Sequence, residues 1–292
     1  MKPSETQQEL KALISLLDEP DNSALGFVSN QLLAYGEEAI PPLEHAWENT
    51  FDIALQERIE NIIHRIQQVS LFHELSNWSN FGHSDLLRGC FLVARFQYPS
   101  LKLETLTNAI NKIKKDVWLE LNNDLTSLEK IKVLNHFLFG VYKFEGSKRE
   151  EGNPQSNLIN ILLESHKGYP VSLGALYIIL AQSLELPVYG VDLPQHFIVA
   201  YARTLTDEKK PLLEASDVLF YINPYSNGAV FTLKQIEYFL REMKITQQPS
   251  HYLPCNNRLI IRRMMNEVLQ LYIIDGAIEK INEFKQLMKA LD

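Results

Sequence analysis

The chain has 292 residues, 46% of them hydrophobic and 22% charged, which is enough apolar material for a sizeable core and unlike a disordered chain. Its formal net charge of -8 argues against nonspecific binding to nucleic acid or an anionic membrane. Two cysteines, Cys90 and Cys255, are too few for a disulfide framework at this length, and no apolar run approaches membrane-spanning length. The start, Met1-Lys2-Pro3-Ser4-Glu5, leads into a polar stretch without an apolar signal region, so the expected location is cytoplasmic.

Taken in order, Leu10 to Asp18 has the apolar spacing of a short amphipathic helix, ended by Glu19-Pro20-Asp21-Asn22. Ser23 to Tyr35, Glu37 to Glu48 and Ile53 to Gln67 are helical in period, with Gly36 as a terminator and Pro41 and Pro42 where a helix start tolerates proline. This pattern resembles a HEAT-type repeat, so residues 1–70 are expected to form a small helical module packed on the rest of the chain. Asn77 to Gly82 reads as a polar break. Helices are expected over Asp85–Phe96, Leu103–Leu121 and Leu125–Phe139, then a loop over Gly140–Pro154 and a helix over Ser156–His166. Thr232 to Met243 reads as a helix, Thr246 to Pro254 as a linker, and Asn256 to Leu291 as a helical hairpin broken at Asp275-Gly276.

Gly168 to Asn227 organises the whole. From Leu173 to Leu184 almost every side of the helix is apolar, interrupted mainly by Gln182 and Ser183, and such a helix must lie in the interior. Pro187 ends the run. Beyond it, Phe197 to Ala202 and Val218 to Ile222 have the β-branched and aromatic content of strands, with His196 at the head of one and Asn223 at the end of the other.

Four groups of residues together resemble the SirB1 family of transglutaminase-like proteins. They are Ala94-Arg95-Phe96-Gln97-Tyr98-Pro99; Leu134-Asn135-His136-Phe137-Leu138-Phe139; Asn157-Leu158-Ile159-Asn160 through Gly168-Tyr169-Pro170-Val171-Ser172-Leu173; and Leu193-Pro194-Gln195-His196-Phe197 with Ile222-Asn223-Pro224-Tyr225. The resemblance spans residues 75–245. It implies an α+β fold, a helix-rich papain- or transglutaminase-like core with a small antiparallel sheet, flanked by helical hairpins. Residues 255–292 would then be a tetratricopeptide-like hairpin.

Chemistry of that family type needs a thiolate at the N-terminus of the buried helix, a histidine on a facing strand and an Asp or Asn to orient it. The resemblance assigns the histidine to His196 and the orienting group to Asn223, where the family usually shows Asp. The position expected for the cysteine carries Pro170, which has no nucleophile. Cys90 reads as a core residue, and Cys255 follows Pro254 in a linker whose course the sequence does not fix. Ser172 is left as an alternative nucleophile, although a serine at a helix start usually caps it. The expected site is thus a shallow pocket of Gly168, Tyr169, Pro170, Ser172, Gln195, His196 and Asn223.

Histidines 166, 196 and 251 lack metal-ligand spacing and the glycines form no phosphate-cradling loop, so no metal and no cofactor is expected. The leading expectation is a noncatalytic binding or regulatory protein with a protein or peptide partner, and neither nucleic acid nor membrane as partner. The alternatives are a hydrolase or acyltransferase of amide or ester substrates using Ser172 with His196, and a protein-interaction scaffold.

Overall fold

The computed structural model describes residues 5–18, 22–147, 157–194, 196–203 and 215–292. The chain divides into two compact units, Met1–Ser76 and Asn77–Asp292. In the first, α1 (Glu5–Ser15), α2 (Asn22–Tyr35), α3 (Ile40–Glu48) and most of α4 (Ile53–Asn77) close around Leu10, Leu32, Leu43, Ile59, Ile62 and Ile66. Pro41 and Pro42 occupy the first turn of α3, where a missing N–H breaks no helical bond. The polar break expected at Asn77–Gly82 is instead the end of α4 followed by a π-helical turn, Trp78–Gly82. Burial explains the continuation: Trp78 is an interior side chain, and its indole N–H donates to the carbonyl of Asp85 at 2.7 Å.

The second unit contains α5 (Leu86–Arg95), α6 (Leu103–Glu120) and α7 (Ser127–Asn135), which passes into a π-helical turn over His136–Val141. Side chains fix the helix starts. Asp85 accepts from the Arg88 N–H at 3.0 Å, and Thr126 with Glu129 forms a reciprocal capping box. Next come β1 (Glu145–Gly146), α8 (Ile159–Ser165), β2 (Lys167–Gly168) and α9 (Pro170–Ser183). The pair β1–β2 is short and parallel, and β1 lies within the stretch Gly140–Pro154 that the sequence pattern reads as loop.

A four-stranded antiparallel sheet follows α9, in the order β3 (Val188–Val191), β4 (Ile198–Ala202), β5 (Val218–Asn223) and β6 (Ala229–Phe231). Then come α10 (Leu233–Glu242), α11 (Asn257–Asp275) and α12 (Ile278–Met288), with the last two turning at Gly276 in the left-handed region. The second unit is therefore α+β: a helix-rich core with a small antiparallel sheet. No described helix is long and apolar enough to cross a membrane.

Helix α9 sits at the centre. It packs against α5, α6, α8 and α11 and against strands β3 and β4. Residues Val171 to Ile178 are all buried. On the sheet side the fit is close, since a Cβ on Gly174 would collide with the Phe197 ring. The other face of the sheet carries Val191, Ile198, Ala200 and Tyr221, which cluster with Ile236 and Leu240 of α10. Strand β4 is thus covered on both faces, and all five of its residues are buried.

Two polar side chains of this interior pair with each other. The Tyr177 hydroxyl donates to Asn135 Oδ1 at 2.8 Å, while Asn135 Nδ2 donates to the Gly228 carbonyl at 2.9 Å. A single amide thus ties α7, α9 and the turn after β5 together. Leaving such a group unpaired would cost about 1–3 kcal/mol.

Two substitutions test this packing in urea unfolding. Leu176→Ala, at a side chain 1% exposed, is expected to destabilise by about 2–5 kcal/mol through the cavity it leaves. Gly174→Ala should also destabilise, by about 1–3 kcal/mol, because overpacking against Phe197 outweighs the gain in helix propensity. A neutral or stabilising Gly174→Ala would mean that the ring is not held against the helix backbone.

Candidate functional site

The N-terminus of α9 is built by local contacts. Pro170 is its first residue and supplies no N–H. The Ser172 hydroxyl, wholly buried, accepts from the Tyr169 N–H at 3.0 Å and donates to the Tyr169 carbonyl at 3.1 Å. Its one hydrogen-bond donor is therefore spent within its own turn. Gly168 is needed just before it, because a Cβ there would stand 2.9 Å from Ser172 Oγ and 2.7 Å from Leu162.

His196 lies elsewhere. Its neighbour Phe197 turns inward onto Gly174 of α9, whereas the His196 ring stands edge-on to Phe239 of α10, with centroids 5.1 Å apart. The two neighbours thus pack on different helices, Phe197 on α9 and His196 on α10. Partial burial against Phe239 and the nearby Arg263 guanidinium hold the imidazole below its ordinary value of 6.5, with burial the larger cause. Gln195 lies outside the described residues.

Asn223 is occupied in the turn that follows β5. Its Oδ1 accepts from the Tyr225 N–H at 3.1 Å and its Nδ2 donates to Ser226 Oγ at 3.1 Å. Both ends of the amide therefore serve the Pro224–Ser226 turn. Among the described residues no hydrogen bond joins His196 to Asn223 or to Ser172. The structure brings Gly168, Tyr169, Pro170 and Ser172 together, and places His196 and Asn223 in other local contacts.

The cysteines have separate surroundings. Cys90 is fully buried in α5, and burial drives its thiol far up. Cys255 leaves the linker to lie along β3: its N–H donates to the Gly190 carbonyl at 2.8 Å. Burial, aided by the Asp192 carboxylate, pushes its thiol up to about 12. Neither is a thiolate near neutral pH. The loop between β3 and β4 is anchored from α11 by Arg263, which pairs with Asp192 and donates to the Leu193 carbonyl at 3.1 Å.

A cavity that the sequence pattern gave no reason to expect opens beside the start of α9. It has a volume of about 130 Å³ and is lined by Asn157, Tyr169, Glu267, Gln270, Leu271 and Ile274. Asn157 is 1% exposed, and its Oδ1 has no hydrogen-bond partner. Glu267 faces Arg263 one turn earlier on α11 at 3.7 Å, with both side chains largely covered. Only Tyr169 of this set belongs to the pocket expected from sequence. Asn157 belongs to the Asn157-Leu158-Ile159-Asn160 group that carries the family resemblance, but nothing in the sequence set it beside α11. No group of three or more His, Cys, Asp or Glu suited to a metal ion occurs among the described residues.

Comparison with known proteins agrees with this core. Human F-box only protein 21 is 26% identical over 156 residues, which is 53% of this chain and 23% of that protein. A UPF0162 protein of Xylella fastidiosa (strain Temecula1 / ATCC 700964) is 24% identical over 156 residues, 52% of this chain and 51% of that protein. A UPF0162 protein of Vibrio cholerae serotype O1 (strain ATCC 39315 / El Tor Inaba N16961) is 22% identical over 189 residues, 64% of this chain and 66% of that protein. The chain thus spans under a quarter of F-box only protein 21 and about half of the Xylella protein. No solved structure matches it significantly. The family model for the transglutaminase-like superfamily matches residues 104–266, more than half of the chain and the stretch that holds α9 and the sheet, and on that match the chain belongs to the transglutaminase-like superfamily.

Proposed function

We propose that this chain is a noncatalytic, SirB1-type member of the superfamily that acts by binding, as a regulatory or adaptor protein with a protein or peptide partner. The observation that carries the reading is the start of α9. Where the fold would present a nucleophile, the chain has Pro170, and the nearest hydroxyl, Ser172, is buried and closed onto Tyr169. A nucleophile has to reach its base within hydrogen-bond distance, and the His196 ring packs on Phe239 of α10, with no hydrogen bond to Ser172 among the described residues. The reading places residues 1–70 as a HEAT-like helical module, a common type of protein-binding surface, and residues 255–292 as a tetratricopeptide-like hairpin. It also places the protein in the cytoplasm. The hydrolase alternative with Ser172 has no observation in its favour, and a scaffold role would be a form of the binding reading.

Two outcomes test this. Chromogenic esters and glutamine-containing peptides offered to the purified chain are expected to turn over at the background rate, unchanged by Ser172→Ala or His196→Ala. Ser172→Ala should cost about 0.5–2 kcal/mol in unfolding free energy, as loss of a helix-start contact does. Ester or amide turnover abolished by Ser172→Ala would overturn the reading.

The second outcome concerns His196. Its folded value lies below its unfolded value, so as pH falls through 6.5 the unfolded chain takes up the proton first and the His196 contribution to stability is lost. NMR titration should show a midpoint below 6.5, moving up in Arg263→Gln. A midpoint above 6.5 would instead indicate a hidden anionic partner of the kind a catalytic histidine has.

A further inference from the structure

We propose that Asn227-Gly228 is a deamidation site that the fold holds closed, and that it reacts only when the turn after β5 swings away from Asn223 and Asn135. The inference stands apart from the binding reading and concerns a covalent modification of the chain itself. Asn227 is the single asparagine of the sequence that is followed by glycine. With no Cβ on the following residue, the backbone nitrogen can approach the asparagine carboxamide closely. In the reaction the Gly228 nitrogen gives its proton to hydroxide and bonds to Asn227 Cγ. The Cγ–Nδ2 bond breaks, and the side-chain nitrogen leaves as ammonia with a proton from water. Water then opens the cyclic imide at either carbonyl, which leaves aspartate or isoaspartate at position 227.

The electrophile is available. Asn227 is exposed, and among the described residues its carboxamide makes no hydrogen bond. The nucleophile is held. Gly228 is buried, and its N–H donates to the Asn223 carbonyl at 2.9 Å. The new bond has to lie in the peptide plane along the direction of that N–H, so Cγ would need the place that the Asn223 oxygen fills.

The backbone resists the required rotation. Asn227 and Gly228 both lie in the left-handed region, with φ of 54° and 73°, as an Asn-Gly turn favours. The Gly228 carbonyl accepts from Asn135 Nδ2 at 2.9 Å, and a Cβ on Gly228 would collide with the Asn135 amide. Asn135 is fixed in turn by the Tyr177 hydroxyl of α9 at 2.8 Å. The rate in the folded chain is then the rate of the open turn multiplied by the fraction of time the turn is open. Isoaspartate adds one carbon to the main chain before Gly228, so the modified turn no longer spans Asn223 and Asn135 with the same geometry.

The test follows the full chain and a synthetic peptide of residues 223–230 at mildly alkaline pH. Peptide mapping separates the aspartate and isoaspartate products, and NMR measures hydrogen exchange of the Gly228 amide under the same conditions. Asn227 is expected to react at least about tenfold more slowly in the chain than in the peptide, by a ratio that matches the protection of the Gly228 amide. Asn135→Ala should raise the rate in the chain by about tenfold, because a lost hydrogen bond makes opening easier. Since Asn135→Ala also removes a contact of α7, Tyr177→Phe serves as the second variant. It keeps the buried ring, removes only the bond that fixes Asn135, and should raise the rate severalfold. Reaction as fast in the folded chain as in the peptide would overturn the proposal. So would a rate unchanged in both variants, or slow reaction at a Gly228 amide that exchanges freely.

Discussion

Helix α9 has no polar face to offer to water, and the second unit is arranged to answer that constraint. Helices α5, α6, α8 and α11 cover it on one side and strands β3 and β4 on the other. Each fully buried aliphatic side chain contributes about 1.5–3 kcal/mol relative to exposure, so the run Val171 to Ala181 is a large share of the driving force for this unit. Close approach sharpens the fit: Gly174 lets the Phe197 ring rest on the helix backbone. Tyr177 adds a directional bond, reaching Asn135 and through it the turn that follows β5.

That packing has a consequence for chemistry. Phe197 is held against α9, and the neighbouring His196 packs on Phe239 of α10. The superfamily fold is present, and the side chains at the start of α9 are committed to structure. Ser172 holds the backbone of Tyr169, and Asn223 holds the turn at Pro224–Ser226. Beside the same helix start lies a cavity lined from Asn157, Tyr169 and α11.

Much of this was legible in the sequence, for identifiable reasons. The all-round apolar run after Pro170 predicted a buried helix, and α9 spans Pro170–Ser183. The strands at Ile198–Ala202 and Val218–Asn223 carried β-branched and aromatic residues. Strand β3, Val-Tyr-Gly-Val, did not stand out, being four residues long with a glycine inside and gaining its identity from pairing with β4. The π-helical turn at Trp78–Gly82 was hidden because Ser79, Asn80 and Gly82 suggest a break, whereas burial of Trp78 decides the matter. The cavity was least legible of all. Asn157 and Gln270 are more than a hundred residues apart, and only tertiary packing brings them to one cavity.

The central claim is that His196 packs on Phe239 of α10 and does not reach the start of α9. Nuclear Overhauser contacts of the His196 ring protons test it most directly in the full chain. The account predicts cross-peaks from the His196 ring to the ring of Phe239, and none to Pro170 or Ser172. Cross-peaks from the His196 ring to the Ser172 β-protons or to the Pro170 ring would contradict it, because a base would then stand beside the hydroxyl at the helix start.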